Sequence, residues 1–303
     1  MTNFTDENIA KIGEVLKDKN RPLKERFRAL FTLRNIGGPL AIKYIKDTFQ
    51  DDSVLLKHEL AYCLGQMQDV NAIPILNSVL EDVAQEPMVR HEAAEALGAI
   101  GSENSLQILE KYRNDPVIEV SETCEIALNR IKWLLNKDNE SVSSNPYASV
   151  DPAPPTNINN VETLKNILLD ESLPLFERYR AMFSLRNIIS KPAVEALGAG
   201  LLQGQSALFR HEVAFIMGQL QSEHSVPFLK ESLENKNENE MVRHECAEAL
   251  GAIATPDCLE ILNKYLLDDK RVVKESCEVA LDMSEYENSP EFQYANTLVQ
   301  ISS

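Results

Sequence analysis

The feature that most constrains this chain is that it is written twice. Residues 23–38, LKERFRALFTLRNIGG, recur at 175–190 as LFERYRAMFSLRNIIS. Residues 57–66, KHELAYCLGQ, recur at 210–219 as RHEVAFIMGQ, and 88–100, MVRHEAAEALGAI, recur at 241–253 as MVRHECAEALGAI. Each half is periodic in turn: Leu33, Leu64, Leu97 and Leu128 are spaced 31, 33 and 31 residues apart, with Leu185, Met217, Leu250 and Leu281 as counterparts. A unit of that length accommodates two short helices and two turns. The segments are rich in Ala and Leu with few β-branched runs, and Pro39, Pro74, Pro192 and Pro227 fall near the starts of the intervening helices. One hairpin cannot bury its apolar face alone, whereas a stack can. The expected fold is all-α, an α-solenoid of eight HEAT-like helical hairpins in two symmetric four-repeat halves.

Residues 1–135 and 161–303 form the two halves on this reading, the second carrying a C-terminal tail. The stretch between them, 136–160, NKDNESVSSNPYASVDPAPPTNINN, lacks apolar periodicity and reads as a flexible linker. The amino-terminal residues are polar and amphipathic, without a secretory or transit pattern, so a cytoplasmic location is expected. No run of apolar residues is long enough for a membrane span. Cys63, Cys124, Cys246, Cys258 and Cys277 are odd in number and show no CxxC spacing. They read as small core residues in a reducing compartment.

Four of the five histidines precede a glutamate: His58-Glu59, His91-Glu92, His211-Glu212 and His244-Glu245. A lone His-Glu pair on a helix is usually solvated. Here the placement argues otherwise. The first repeat of each half has Phe27-Arg28 or Tyr179-Arg180 at the matching positions, and the fourth has Glu122-Thr123 or Glu275-Ser276. Only the two central repeats of each half keep the pair, which duplication alone does not explain. The fifth histidine, His224, sits in a loop-like QSEHSVP and is expected at the surface.

Adjacent helical residues diverge by about 100°, so each His and its Glu should flank one edge. Three residues after each His comes Ala, and seven after comes Gly: Gly65, Gly98, Gly218 and Gly251. Those small residues either leave the imidazoles room or let neighbouring helices approach closely. Equivalent positions of successive repeats line one surface of a solenoid, so His58-Glu59 should neighbour His91-Glu92, and His211-Glu212 should neighbour His244-Glu245. If the halves face each other, four imidazoles and four carboxylates converge. Eight N/O ligands without a thiolate suit iron or manganese before zinc, and they suit two ions rather than one. Glu95 and Glu248 follow Glu92 and Glu245 by three residues, where the second repeats have Tyr62 and Phe215. A second carboxylate shell, an aromatic substrate wall and ordinary packing all fit these positions.

The formal net charge of −17 argues against nucleic acid and fits a basic protein partner, although acidity also serves solubility alone. There is no phosphate-binding glycine loop, GxSxG, HExxH or dinucleotide fingerprint, so hydrolytic-triad and nicotinamide chemistry find no support.

The two four-repeat halves, the variable linker and the His-Glu motifs in the segments KHELAYCLGQ and MVRHEAAEALGAI closely resemble the deoxyhypusine hydroxylase family over nearly the whole chain. The resemblance implies a non-haem di-iron mono-oxygenase, with two ferrous ions per chain and O2 as co-substrate, its di-iron centre lying between the halves. It implies hydroxylation of the deoxyhypusine side chain, on a basic loop of translation initiation factor 5A, to hypusine. It further implies iron on His58, His91, Glu92, His211, His244 and Glu245. Glu59 and Glu212 match positions that serve the substrate amine, although they are also counted with the metal site; an acidic cleft with these two at its mouth would suit that cation. A monomer is expected. The competing readings are a non-catalytic helical scaffold for a basic protein and a bilin lyase-like repeat protein; the symmetric His-Glu quartet argues against the latter.

Overall fold

The computed structural model describes residues 5–136 and 142–290, together with Tyr294 and Ala295. Among the described residues there are sixteen α-helices and no strand. They are α1 (Asp6–Lys17), α2 (Leu23–Ile36), α3 (Gly38–Asp47), α4 (Val54–Met67), α5 (Ile73–Glu81), α6 (Pro87–Ile100), α7 (Leu106–Tyr112) and α8 (Ile118–Leu135). After the intervening segment come α9 (Val161–Leu169), α10 (Leu175–Ile188), α11 (Lys191–Gln203), α12 (Ala207–Leu220), α13 (Val226–Glu234), α14 (Glu240–Ile253), α15 (Pro256–Tyr265) and α16 (Arg271–Glu287). The all-helical repeat fold expected from the periodicity is present. No helix is long and apolar enough to cross a membrane among the described residues. All five cysteines are buried and free.

The chain divides into two compact units, the first running to Ala127 and including Pro290, Tyr294 and Ala295, the second spanning Leu128–Ser289. The division falls inside α8. In the first unit α4 packs between α2 and α6; in the second α14 packs between α12 and α16. The four helices that carry the His-Glu pairs are α4, α6, α12 and α14, and their ends are set by local chemistry. The hydroxyl of Ser53 accepts the Leu56 N–H at 3.0 Å to start α4, and Ser206 accepts from Phe209 at 3.0 Å to start α12. Pro87 opens α6, and the Asn239 side chain accepts from Met241 at 2.9 Å to open α14. All four stop at a left-handed residue: Gln68, Gly101, Gln221 and Ala254. At two of these ends the side chain ties the helix to the next repeat, Gln68 Nε2 donating to the Ala99 carbonyl at 3.1 Å and Gln221 Nε2 to the Ala252 carbonyl at 2.9 Å.

The small-residue stripe resolves in favour of close helix approach. A Cβ added to Gly65 would lie 2.7 Å from Cα of Ala96, and one on Gly98 2.8 Å from Cβ of Ala127. On Gly218 it would lie 3.0 Å from Cα of Ala249, and on Gly251 2.7 Å from Cα of Ala280. Each glycine thus lets its helix touch the backbone of the corresponding helix one repeat on.

A second device recurs at the residue just before the His position. Arg90 Nε donates to the Leu80 carbonyl at 3.0 Å while its guanidinium grips Asp115 at 2.6 Å. Arg243 does the same with the Leu233 carbonyl at 2.9 Å and Asp268 at 2.6 Å. Arg26 repeats it with the Leu16 carbonyl at 2.8 Å and Asp51 at 2.6 Å. The acid in turn caps the next helix, Asp115 accepting from the Val117 N–H and Asp268 from the Lys270 N–H, both at 2.9 Å. One arginine therefore fixes the end of the helix behind it and the start of the helix ahead, so the His that follows it has a defined height in the stack.

The segment expected to be a flexible linker is described from residue 142 to 160, where it has no helix or strand but is fastened to α10. Arg186, fully buried, donates to both oxygens of Asp151 at 2.8 and 2.7 Å and to Asn145 at 3.0 Å. The Thr156 N–H donates to Ser184 at 2.8 Å, and Ala153 is fully buried. Residues 137–141 lie outside the described residues, as does most of the expected C-terminal tail. Of that tail, Tyr294 packs edge-on against Phe31, with the Arg28 guanidinium 4.9 Å from its ring centre.

Candidate metal centre

In the first unit, α4 and α6 bring His58 and His91 side by side, ring centres 5.6 Å apart. His58 is bracketed by acids: its Nδ1 lies 3.2 Å from Glu59 Oε1 and its Nε2 3.2 Å from Glu92 Oε2. Neighbouring residues on one helix thus still meet through their side chains, although their Cα–Cβ directions diverge. His58, His91 and Glu92 each offer a donor atom within 4.8 Å of the others. All are buried, His91 completely. Burial pushes the His58 imidazole toward the neutral form, but Glu92 and then Glu59 outweigh it and hold its pKa well above the usual value. Beside them burial drives the Tyr62 phenol and the Cys63 thiol well up, so both stay neutral.

In the second unit, α12 and α14 repeat the arrangement with different details. The rings of His211 and His244 are 5.2 Å apart, and His211 Nε2 lies 3.4 Å from Glu245 Oε2. His244, Glu245 and Glu248 form a further group whose donor atoms lie within 4.8 Å of one another. Glu248 belongs to this group because four residues on a helix return to the same face, which puts it 3.6 Å from His244 Nδ1.

The expected neighbours are therefore neighbours. His58 and Glu92 meet, His211 and Glu245 meet, and Glu59 joins through His58. Glu212 is buried on α12, next in sequence to His211. Glu59 and Glu212 do not stand at an open mouth: their exposures are 6% and 2%. His224 is exposed in a short turn, as its loop-like context implies. The arginine clamps were not anticipated from sequence. Their signal was present as a basic residue before every His of the four pairs, namely Lys57, Arg90, Arg210 and Arg243.

Chemically, each group offers imidazole nitrogens and carboxylate oxygens and no thiolate. Donors bound to one ion at about 2.1 Å each lie within about 4.2 Å of one another, so a spread of 4.8 Å closes onto an ion with shifts of a few tenths of an ångström. Buried carboxylates need a cation or hydrogen bonds to offset lost hydration, and a divalent ion would supply that at either cluster. The donor set fits iron or manganese.

Fold and clusters together describe a helical-repeat protein that carries buried His/Glu groups able to hold a metal ion. HEAT repeats are matched over residues 47–129 and 194–282. The deoxyhypusine hydroxylase of Drosophila melanogaster is 64% identical over 298 residues, spanning 98% of each chain. Those of Danio rerio and Homo sapiens are 58% and 59% identical, again over 98% of both chains. The solved structure of human deoxyhypusine hydroxylase in complex with glycerol superposes with a TM-score of 0.90, covering 93% of this chain and 97% of that one. The chain belongs to the deoxyhypusine hydroxylase family.

Proposed function

We propose that the two clusters hold two iron ions per chain, one on each, and that they carry out an O2-dependent mono-oxygenation. The function is deoxyhypusine hydroxylation in the formation of hypusine. On this reading His58, His91 and Glu92 hold the first ion, and His211, His244 and Glu245 the second. Bound iron supplies the activation of dioxygen, which no protein side chain provides unaided.

The observation that carries this is the duplicated short contact between an imidazole and the carboxylate one repeat on. It is 3.2 Å from His58 to Glu92 and 3.4 Å from His211 to Glu245, with every member buried. The chain's own part follows from those positions. The imidazoles and carboxylates bind and orient the ions, and burial keeps bulk water from the reactive site. Glu59 holds the Nδ1 side of His58, which directs Nε2 of that ring toward Glu92. We assign Glu59 and Glu212 to the substrate, a long side chain whose amine is cationic. A buried carboxylate attracts such a group far more strongly than an exposed one, because little water screens the pair. The acidic chain, at a net charge of −17, speeds encounter with a basic loop of translation initiation factor 5A.

The test is to incubate reconstituted protein, O2 and a reductant with the deoxyhypusine-bearing factor and weigh the product. Gain of one oxygen atom on the modified side chain is expected. Unchanged mass with iron-loaded protein would refute the reading.

A further inference from the structure

In the second-unit cluster a carboxylate stands beside the histidine of the third repeat. On α14, Glu248 places Oε1 3.6 Å from Nδ1 of His244, an ion-pair distance. The same oxygen accepts a hydrogen bond from the Ser276 hydroxyl of α16 at 3.2 Å. Ser276 and His244 are fully buried, and the Glu248 side chain is 14% exposed. Ser276 reaches Glu248 because Gly251 lets α14 approach the backbone of α16 at Ala280. In the first unit, Thr123 takes the place of Ser276, and its hydroxyl donates instead to the Glu119 carbonyl of its own helix at 2.8 Å. In that unit Glu59 lies 3.2 Å from Nδ1 of the second-repeat histidine, His58.

A carboxylate facing Nδ1 keeps the ring proton on that nitrogen, leaves Nε2 as the ligating atom and raises its basicity. We propose that Glu248, held by Ser276, is a positioning residue for His244 in the second-unit metal cluster. This rests on the reading that the second cluster holds iron.

Anaerobic Fe2+ titration of the whole chain, followed by native mass and by equilibrium dialysis, tests it. Wild type is expected to bind two ions. Glu248→Gln is expected to weaken one of the two by about ten- to a hundred-fold and leave the other unchanged. Ser276→Ala should weaken the same ion less, and Ser276→Thr, whose hydroxyl is expected to turn to the carbonyl four residues back as that of Thr123 does, should behave like Ser276→Ala. The urea midpoint of the metal-free protein should move little in either serine variant, which a purely structural role would not predict alongside an affinity loss. Wild type with two ions and a Glu248→Gln isotherm identical to it would overturn the positioning role alone. Complete loss of one ion at all Fe2+ concentrations would also overturn it, making Glu248 a ligand. Should Glu248→Gln fail to fold, an unchanged isotherm for Ser276→Ala overturns it. Wild type binding fewer than two ions would sink the metal reading and this inference with it.

Discussion

Replacing Gly251 by Ala pits two effects of similar size against each other. A mid-helix Gly→Ala change favours the helix by about 1 kcal/mol, because alanine restricts the unfolded backbone. The new methyl, however, would lie 2.7 Å from Cα, Cβ and the carbonyl oxygen of Ala280. Carbon atoms prefer about 3.5–4.0 Å, so α14 and α16 must part by on the order of 1 Å, and the obstacle is backbone that cannot rotate aside. Overpacking of this kind costs about 1–3 kcal/mol. The net expectation is destabilisation by up to about 2 kcal/mol, with α14, the helix that carries His244 and Glu245, pushed from its neighbour. Gly218→Ala is the internal control: its methyl would meet Ala249 at 3.0 and 3.2 Å, so the two effects nearly cancel there. Urea unfolding followed by circular dichroism measures both, with the midpoint lowered for Gly251→Ala and close to wild type for Gly218→Ala. If Gly251→Ala equals or exceeds wild type, or if Gly218→Ala is the more damaging of the two, close approach is not what the glycines are for.

Three further outcomes follow from the same geometry. The Arg243 guanidinium and the Lys270 N–H hold the Asp268 carboxyl below its ordinary pKa against the opposing effect of burial, and Arg90 and Val117 do the same for Asp115. Their contribution is present above the unfolded pKa of about 3.9 and is lost as pH falls through the lower folded value; an acid titration of stability should therefore steepen below about pH 4. Asp268→Asn should be less stable at pH 7 by about 3–5 kcal/mol, since it strands a buried guanidinium, and should show a shallower acid limb by fluorescence-monitored unfolding. Arg186→Met removes the bonds to Asp151 and Asn145, so limited proteolysis should cut within 142–160 faster than in wild type while the flanking helices persist; an unchanged digestion pattern would mean the segment is held by other contacts.

Much of the fold was legible because the signals are local and repeated. Pro39, Pro74, Pro192 and Pro227 stand in the first turn of α3, α5, α11 and α13, where a missing N–H costs nothing. The pairing of His58 with Glu92 and of His211 with Glu245 was legible because a repeat maps equal positions onto adjacent places. What sequence left open was decided by contacts between distant residues. The Gly stripe admitted two meanings until Ala96, Ala127, Ala249 and Ala280 were found against it. The stretch 142–160 has the composition of a linker, since Pro, Ser and Asn report on backbone preference. Composition does not register that Arg186 stands on α10 opposite Asp151, while its counterpart Arg34 bonds to the adjacent Asn35 and stacks over Phe31. The burial of Glu59 and Glu212 was hidden for the same reason: charge suggests solvent until the neighbours that enclose it are known.

Where metal binds is the most direct test of the His/Glu clusters. Native mass measurement after anaerobic Fe2+ reconstitution should find two iron ions on the wild-type chain, one on His91→Ala, one on His244→Ala and none on the double variant, all four with the same helical circular dichroism. Two ions retained by either single variant, or both lost together from one, would contradict the assignment of one ion to each His/Glu cluster.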